Sequence, residues 1–350
     1  MEPRFEEVDR CAVCGGSGST LFGGVHDFMC GHPGTFNIME CGECGFCWIT
    51  PRPDSKSIGE YYRTCVTHQP LAGTAAAAEG RTSRPFSALR DALRNAVMCG
   101  YYGYTGHRCT PLCRLGKWLG MLSPLRARAT GDMRELLPPN RPGGAILDIG
   151  CGRGDLLERF RGLGWRVCGL EPDAVPAGIA SERGIRVFNA SVEEASLPEG
   201  EFDQVMLNHA IEHIYNPSLA FKKCFDCLKP GGRLVLYTPN AASLGRKLFG
   251  SYWLPFDPPR HAGLFSPEAM RRALSGAGFG KVSVRTVAYQ ARLYFDSSSA
   301  LKAGMRLHGA SAPFASGRFL FYAAERAACA AGIGWGEEIL AVAVKQPGLG

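Results

Sequence analysis

Apolar positions along this chain fall into two periods. A run with Ile146, Leu147 and Ile149 leads into a turn holding Gly150, Gly152 and Gly154. Leu156, Phe160 and Leu163 then follow at helical spacing, and a second short run, Arg166–Leu170, comes after them. That order reads as buried strand, glycine turn, helix and buried strand, the repeating unit of a parallel α/β sheet. Residues 280–289 and 337–345 each read as a further strand. Phe86, Leu89, Leu93 and Val97 are spaced for a helix over 86–98, and 112–125, with Trp118, repeats the pattern. Leu219, Phe221 and Leu228 mark another helix, which begins after Asn216-Pro217.

The glycine turn carries the first chemical information. Glycine lets the backbone approach a ligand where a Cβ would clash. Asp148 ends the first strand and Glu171 follows the second, where a carboxylate can accept both ribose hydroxyls. A dinucleotide fingerprint has the spacing G-x-G-x-x-G and sets a helix N-terminus against a pyrophosphate. Here the spacing is G-x-G-x-G, and the flanking residues Asp148 and Asp155 would repel phosphate. S-adenosylmethionine (SAM) has no phosphate, and its sulfonium and ammonium suit carboxylates. A nucleotide-binding Rossmann domain is the competing reading.

The segment Asp148-Ile-Gly-Cys-Gly-Arg-Gly154 resembles the first motif of class I SAM-dependent methyltransferases. Residues 201–208, with Phe202-Asp203 before an apolar run, resemble that family's fourth strand. Lys229-Pro-Gly-Gly232 and the run that follows resemble its fifth. The likeness covers roughly 140–290 and 336–346 and is nearest to ubiquinone-type O-methyltransferases and to natural-product and polysaccharide-cluster relatives. It implies an α/β fold: a Rossmann-like seven-stranded methyltransferase sheet whose last strands are antiparallel. It also implies cofactor roles. Asp148, Gly150, Gly152 and Gly154 would cradle the amino-acid part of SAM, with Cys151 filling a small-residue slot. Glu171 would hold the ribose, Pro172 would flank the adenine, and Ser191, Val192 and Glu193 would meet its edge. Asn208, with His209 beside it, would lie beneath the methionine portion.

Methyl transfer to a hydroxyl needs a base near neutral pH, and histidine is the default. In the resembling family a Glu-His pair after the fourth strand and an Arg-His in a later loop both recur. They correspond here to Glu212-His213 and Arg260-His261, with His261 ranked first as base and His213 next. Ubiquinone-type members also bind a divalent cation near the Glu-His pair. Ile214-Tyr215 stand where their extra acid would be, which weakens that expectation here.

Cysteine use adds a second chemistry. The chain of 350 residues holds 15 cysteines, and its first residues have no apolar core for a signal peptide. A cytoplasmic setting with reduced thiols and metal, rather than disulfides, is expected. Cys11-x-x-Cys14 and Cys41-x-x-Cys44, each followed by glycine, form a zinc-knuckle pair, so these four cysteines are the expected metal ligands. A closed set of four thiolates makes the zinc structural. Cys30 and Cys47 are spare, Cys224 and Cys227 are expected to serve packing, and Cys109 and Cys113 carry no firm expectation. With Thr50-Pro-Arg-Pro53 and Gly59-Glu-Tyr-Tyr62 following, the segment resembles the small N-terminal zinc-ribbon module of some methyltransferases.

The expected organisation is a zinc ribbon over 1–62, a linker and helical cap over 63–140, and a SAM-binding domain over 141–350 with an insertion at about 291–336. Residues 71–84 read as a flexible connector, and the two cap helices are expected to shape the substrate cleft. The basic and aromatic residues of the insertion (Arg306, His308, Phe314, Arg318, Phe319, Phe321 and Tyr322) could face an acidic or lipid-like substrate, but such a pattern is more often the apolar and solvated sides of an ordinary helix. A net charge of +7 without a block of basic and aromatic residues argues for a small-molecule acceptor rather than nucleic acid. No membrane span is expected, and oligomeric state is not legible. An O-methyltransferase leads. N- or C-methylation, or a non-catalytic binding module on the same fold, are the alternatives.

Overall fold

The computed structural model describes residues 3–63, 87–104, 112–122, 125, 129–130, 135–305, 307 and 315–347. The amino-terminal segment forms β1 (Phe5–Glu6), β2 (Gly18–Val25), β3 (Phe36–Cys41), β4 (Cys47–Thr50) and β5 (Arg52–Pro53). The rest contributes β6 (Ala145–Ile149), β7 (Arg166–Leu170), β8 (Arg186–Phe188), β9 (Phe202–Asn208) and β10 (Leu228–Pro239). They are followed by β11 (Gly263–Leu264), β12 (Lys281–Val287) and β13 (Glu338–Val344).

Seven strands make the large sheet, in the order β12-β13-β10-β9-β6-β7-β8. Strands β6 to β10 run parallel, and β13 lies antiparallel between β10 and β12. This is the α/β sheet expected from the sequence. All five residues of β6 are buried, which is why they form an unbroken apolar run interrupted only by Asp148. The chain leaves β6 towards β7 and returns from β8 to lie on β6's other side as β9. That reversal is a topological switch point, where a crevice opens at the carboxyl ends of the strands.

Helix Asp155–Arg161 follows the glycine turn, with Leu157 and Phe160 as its buried residues. The expected face of Leu156, Phe160 and Leu163 is shifted by one position, and Leu163 falls beyond the helix end. The left-handed Gly154 (φ 79°) sets the first turn so that Leu157 faces β7 at Gly169. Helix Pro217–Cys227 starts where Asn216 caps it by accepting from the Leu219 amide. It ends one residue before Leu228, which opens β10 instead of closing the helix. Cys224 and Cys227 are buried in the core beneath it, in the packing role expected.

Helices Ser87–Gly100 and Leu112–Leu119 cross at glycine. A Cβ on Gly116 would meet the Ala96 carbonyl, and one on Gly100 the Cys113 carbonyl. Val97 and Met98 share a core with Tyr104, Trp165 and the sheet residues Ile146 and Met206, so the pair covers one face of the sheet. Phe86, the connector 71–84, Cys109, Arg306, His308 and Phe314 lie outside the described residues. Among the described residues no helix is long and apolar enough to cross a membrane.

The amino-terminal sheet has the order β11-β4-β3-β2, so its fourth strand comes from the second half of the chain. Gly263 pairs with Trp48 and Leu264 with Cys47. The Ser266 hydroxyl donates to the Cys44 carbonyl at 2.6 Å, and Tyr215 donates to the Pro53 carbonyl at 2.7 Å. One cysteine departs from expectation: Cys30 is disulfide-bonded, whereas the other described cysteines are reduced.

Candidate active site

The crevice end of β6 holds a carboxylate without a partner. Asp148 is 3% exposed, and its Oδ1 is buried with no hydrogen-bond partner. Burial, with the Glu171 charge beside it, pushes its pKa up to about 8. Glu171 is differently placed. It accepts from the Gly152 amide at 2.9 Å and from the Asp173 amide at 3.0 Å, so the glycine turn itself orients it. A Cβ at Gly150 would strike Ala210, but at Gly152 nothing lies within 4 Å, which leaves open space over the turn. An orphaned buried acid beside open space fits a cationic ligand, and therefore fits SAM.

The remaining turn residues vary in how free they are. Cys151 is buried between the turn and β7, with its sulfur where a Cβ on Gly169 would be. Pro172 is exposed at the rim. Ser191 caps the next turn, accepting from the Glu194 amide, and Val192 is buried. The Glu193 carboxylate accepts from the Tyr215 and Asn216 amides, so it braces the loop after β9.

At the end of β9, Asn208 is exposed and His209 adopts a positive φ of 54°. That strained backbone places the His209 ring between two buried acids, Nδ1 at 3.4 Å from Glu212 and Nε2 at 2.9 Å from Glu338. Burial would lower its pKa, but the two carboxylates outweigh it and raise it to about 10, so the ring is an imidazolium at neutral pH. Burial would likewise push Glu212 up, but His209 holds it down at about 2. The Glu212 carboxylate also accepts from the Thr238 hydroxyl at 3.0 Å. His209, expected to contact cofactor, is thus held within an ion-pair chain.

His213 and His261 face each other, with ring centroids 4.7 Å apart. His213 Nδ1 lies 3.0 Å from the Arg260 carbonyl and 2.9 Å from the Tyr62 hydroxyl. His261 Nδ1 lies 2.6 Å from the Pro255 carbonyl. A carbonyl only accepts, so both rings carry hydrogen on Nδ1 and present a lone pair on Nε2. Burial, with His261 adjacent, lowers His213 to about 4 and keeps it neutral. One ligand atom each of Glu212, His213 and His261 lies within 4.8 Å of the others. Two acids unmarked in the sequence reading shape this end. Asp27, with Asp257, encloses the buried Arg260, and Glu338 stands behind His209. Tyr62 carried a signal only as part of Gly59-Glu-Tyr-Tyr62, with no role attached.

The four amino-terminal cysteines converge. Cys11 Sγ is 3.6 Å from Cys44 Sγ, Cys14 Sγ is 3.4 Å from Cys41 Sγ, and all four lie within 4.8 Å of one another. The Val13 and Cys14 amides point at the Cys11 sulfur, and those of Glu43 and Cys44 at Cys41. This donor set fits a tetrahedral zinc ion.

The family described as Methyltransferase domain matches residues 121–284. A ubiquinone biosynthesis O-methyltransferase from Chelativorans sp. (strain BNC1) is 34% identical over 145 residues, 38% of this chain and 57% of that protein. The protein of the same name from Dinoroseobacter shibae is 30% identical over 171 residues, 45% of this chain and 68% of that one. The chain spans 57% and 58% of the length of the first relatives it matches. A solved SAM-dependent methyltransferase from Archaeoglobus fulgidus aligns at 20% identity and a TM-score of 0.42, over 63% of this chain and 94% of that one.

Proposed function

This chain belongs to the SAM-dependent methyltransferases, and from that premise we propose that it methylates a hydroxyl of a small molecule: a sugar, a glycolipid precursor or a natural product. The observation that carries the cofactor half is the unpartnered Asp148 carboxylate above the open glycine turn. When bound, SAM supplies an activated methyl group on a positive sulfur. Asp148 would pair with its cationic amino-acid part, and Glu171, already oriented by two amides, would take the ribose hydroxyls. Asn208, exposed at the end of β9, would lie beneath the methionine portion. In-line alignment of acceptor oxygen and methyl carbon then supplies much of the acceleration, on the order of 7–11 kcal/mol at best.

The acceptor's proton falls to the histidine pair. His261 Nε2 carries the lone pair that would accept it, since its Nδ1 hydrogen is committed to the Pro255 carbonyl. His213, held neutral, is the second candidate. Glu212, His213 and His261 also support a second reading, in which the three would hold a divalent cation and that ion would supply Lewis-acid chemistry at the acceptor oxygen. Four cysteines hold a structural zinc in this proposal. N- or C-methylation and a non-catalytic role remain as alternatives of the same fold. The test is His261→Ala, read by release of S-adenosylhomocysteine across a panel of hydroxyl acceptors. Transfer should fall by about 10²–10⁴-fold with SAM affinity unchanged. Undiminished turnover removes His261 as the base.

A further inference from the structure

The amino-terminal cysteine module touches the histidine pair directly. Tyr62 closes that segment, and its hydroxyl lies 2.9 Å from His213 Nδ1 and donates to the Arg260 carbonyl at 3.3 Å. The Arg260 carbonyl is the same atom that fixes the His213 ring. Its guanidinium is held from the module's side as well. Arg260 Nη1 and Nη2 donate to Asp27 at 3.0 and 2.7 Å, and Nε donates to Asp257 at 3.0 Å. Asp27 is in turn locked by the Met29, Cys30 and His32 amides. Arg260 and Asp27 are both buried. His261 is the next residue, and two residues further on β11 joins the module's own sheet.

We propose that the amino-terminal module is a positioning part of the active site, with Tyr62 and Asp27 setting the ring orientation and tautomer of His213 and His261. Neither residue touches the reacting atoms: Tyr62 acts on His213 Nδ1 and on the Arg260 carbonyl, and Asp27 acts through the Arg260 side chain. The module therefore does more than add a stable appendage. It fixes which nitrogen of each ring faces the crevice, and it does so from elements far away in sequence, since Asp27 and Arg260 are 233 residues apart. The proposal rests on the methyl-transfer reading only in treating these histidines as the site.

Three variants of the full chain, purified with zinc, test it: Tyr62→Phe, Asp27→Asn and Asp27→Ala. Long-range proton–nitrogen spectra read the tautomer of each ring, hydrogen exchange reads the Gly263 and Leu264 amides, and titration reads SAM affinity. Wild type should show a single Nδ1–H form for both rings. Tyr62→Phe leaves the Arg260 carbonyl in place at His213 Nδ1 and should shift the His213 nitrogen resonances, with a minor second tautomer admitted. The Asp27 variants should shift the nitrogen resonances of both rings and speed exchange at Gly263 and Leu264 at least tenfold, with SAM affinity within twofold of wild type. Should the Asp27 variants fail to fold, Tyr62→Phe decides alone, because it removes one hydroxyl and no packing. Unchanged His213 nitrogen shifts in Tyr62→Phe overturn the proposal. A wild-type protein that fails to bind SAM would sink the methyl-transfer reading while leaving the tautomer result to stand or fall by itself.

Discussion

Asp148, on β6, and Glu212, in the short 3-10 turn that follows the neighbouring β9, are both buried carboxylates at the carboxyl edge of one sheet, yet they are opposites. Asp148 has a buried oxygen with no partner and a pKa near 8. Glu212 has His209 and Thr238 and a pKa near 2. Burial acts alike on both, so the difference comes from partners. An acid whose partner is a side chain of the protein is already satisfied and serves to build the site. An acid left without one destabilises the empty protein and gains when a cation arrives. The β6 end is thus arranged for a ligand, and the β9 end is arranged to hold its own histidines.

The sharpest way to break this contrast is to neutralise each acid in turn. Glu212→Gln leaves a buried imidazolium with one carboxylate fewer, and should destabilise the fold by about 3–5 kcal/mol, measured by chemical denaturation. A loss below 1 kcal/mol would mean that the His209 ion pairs contribute little. Asp148→Asn should act in the other direction on the empty protein and raise its melting temperature. It should also weaken SAM binding by about 1.5–3 kcal/mol, roughly 10- to 150-fold, read by calorimetry. A variant that lost stability and kept its affinity would reverse the assignment.

The smallest effect is one of pH. The folded protein holds a proton on Asp148 that the unfolded chain has already released above about pH 4. Stability of the empty protein should therefore fall as pH rises from about 4 through about 8, the folded value. SAM needs the carboxylate form, so its affinity should rise over the upper part of that window, by at most about tenfold per pH unit, and level off above 8. Titrations at pH 6, 7, 8 and 9 would show it, and a flat profile would mean that Asp148 does not meet the cation.

The two ends also differ in how far they can be read from sequence. The β6 end is local: a strand, a glycine turn and two acids at fixed spacing carry it, and the structure sets them as the pattern implies. The cysteine cluster is legible for the same reason, because each knuckle is a four-residue turn. The β9 end is built from long-range pairs. Glu338 reaches His209 from the last strand, and Asp27 reaches Arg260 from the amino-terminal module. No local period encodes such pairs, so His209 looked available for cofactor and Asp27 carried no signal. The pairing of β11 with β4 escaped for a related reason: a two-residue strand has no periodicity to detect.

That short strand has a consequence for biosynthesis. Strands β2 to β4 emerge early from the ribosome, but the sheet's outer neighbour, Gly263–Leu264, is made only after β10 is complete. Until then β4 presents an unpaired edge, a template for wrong partners. Were the two knuckles to capture zinc as they emerge, the ion would hold the nascent hairpin shut through that interval, and zinc supply during translation would then bear on how much protein reaches its native state.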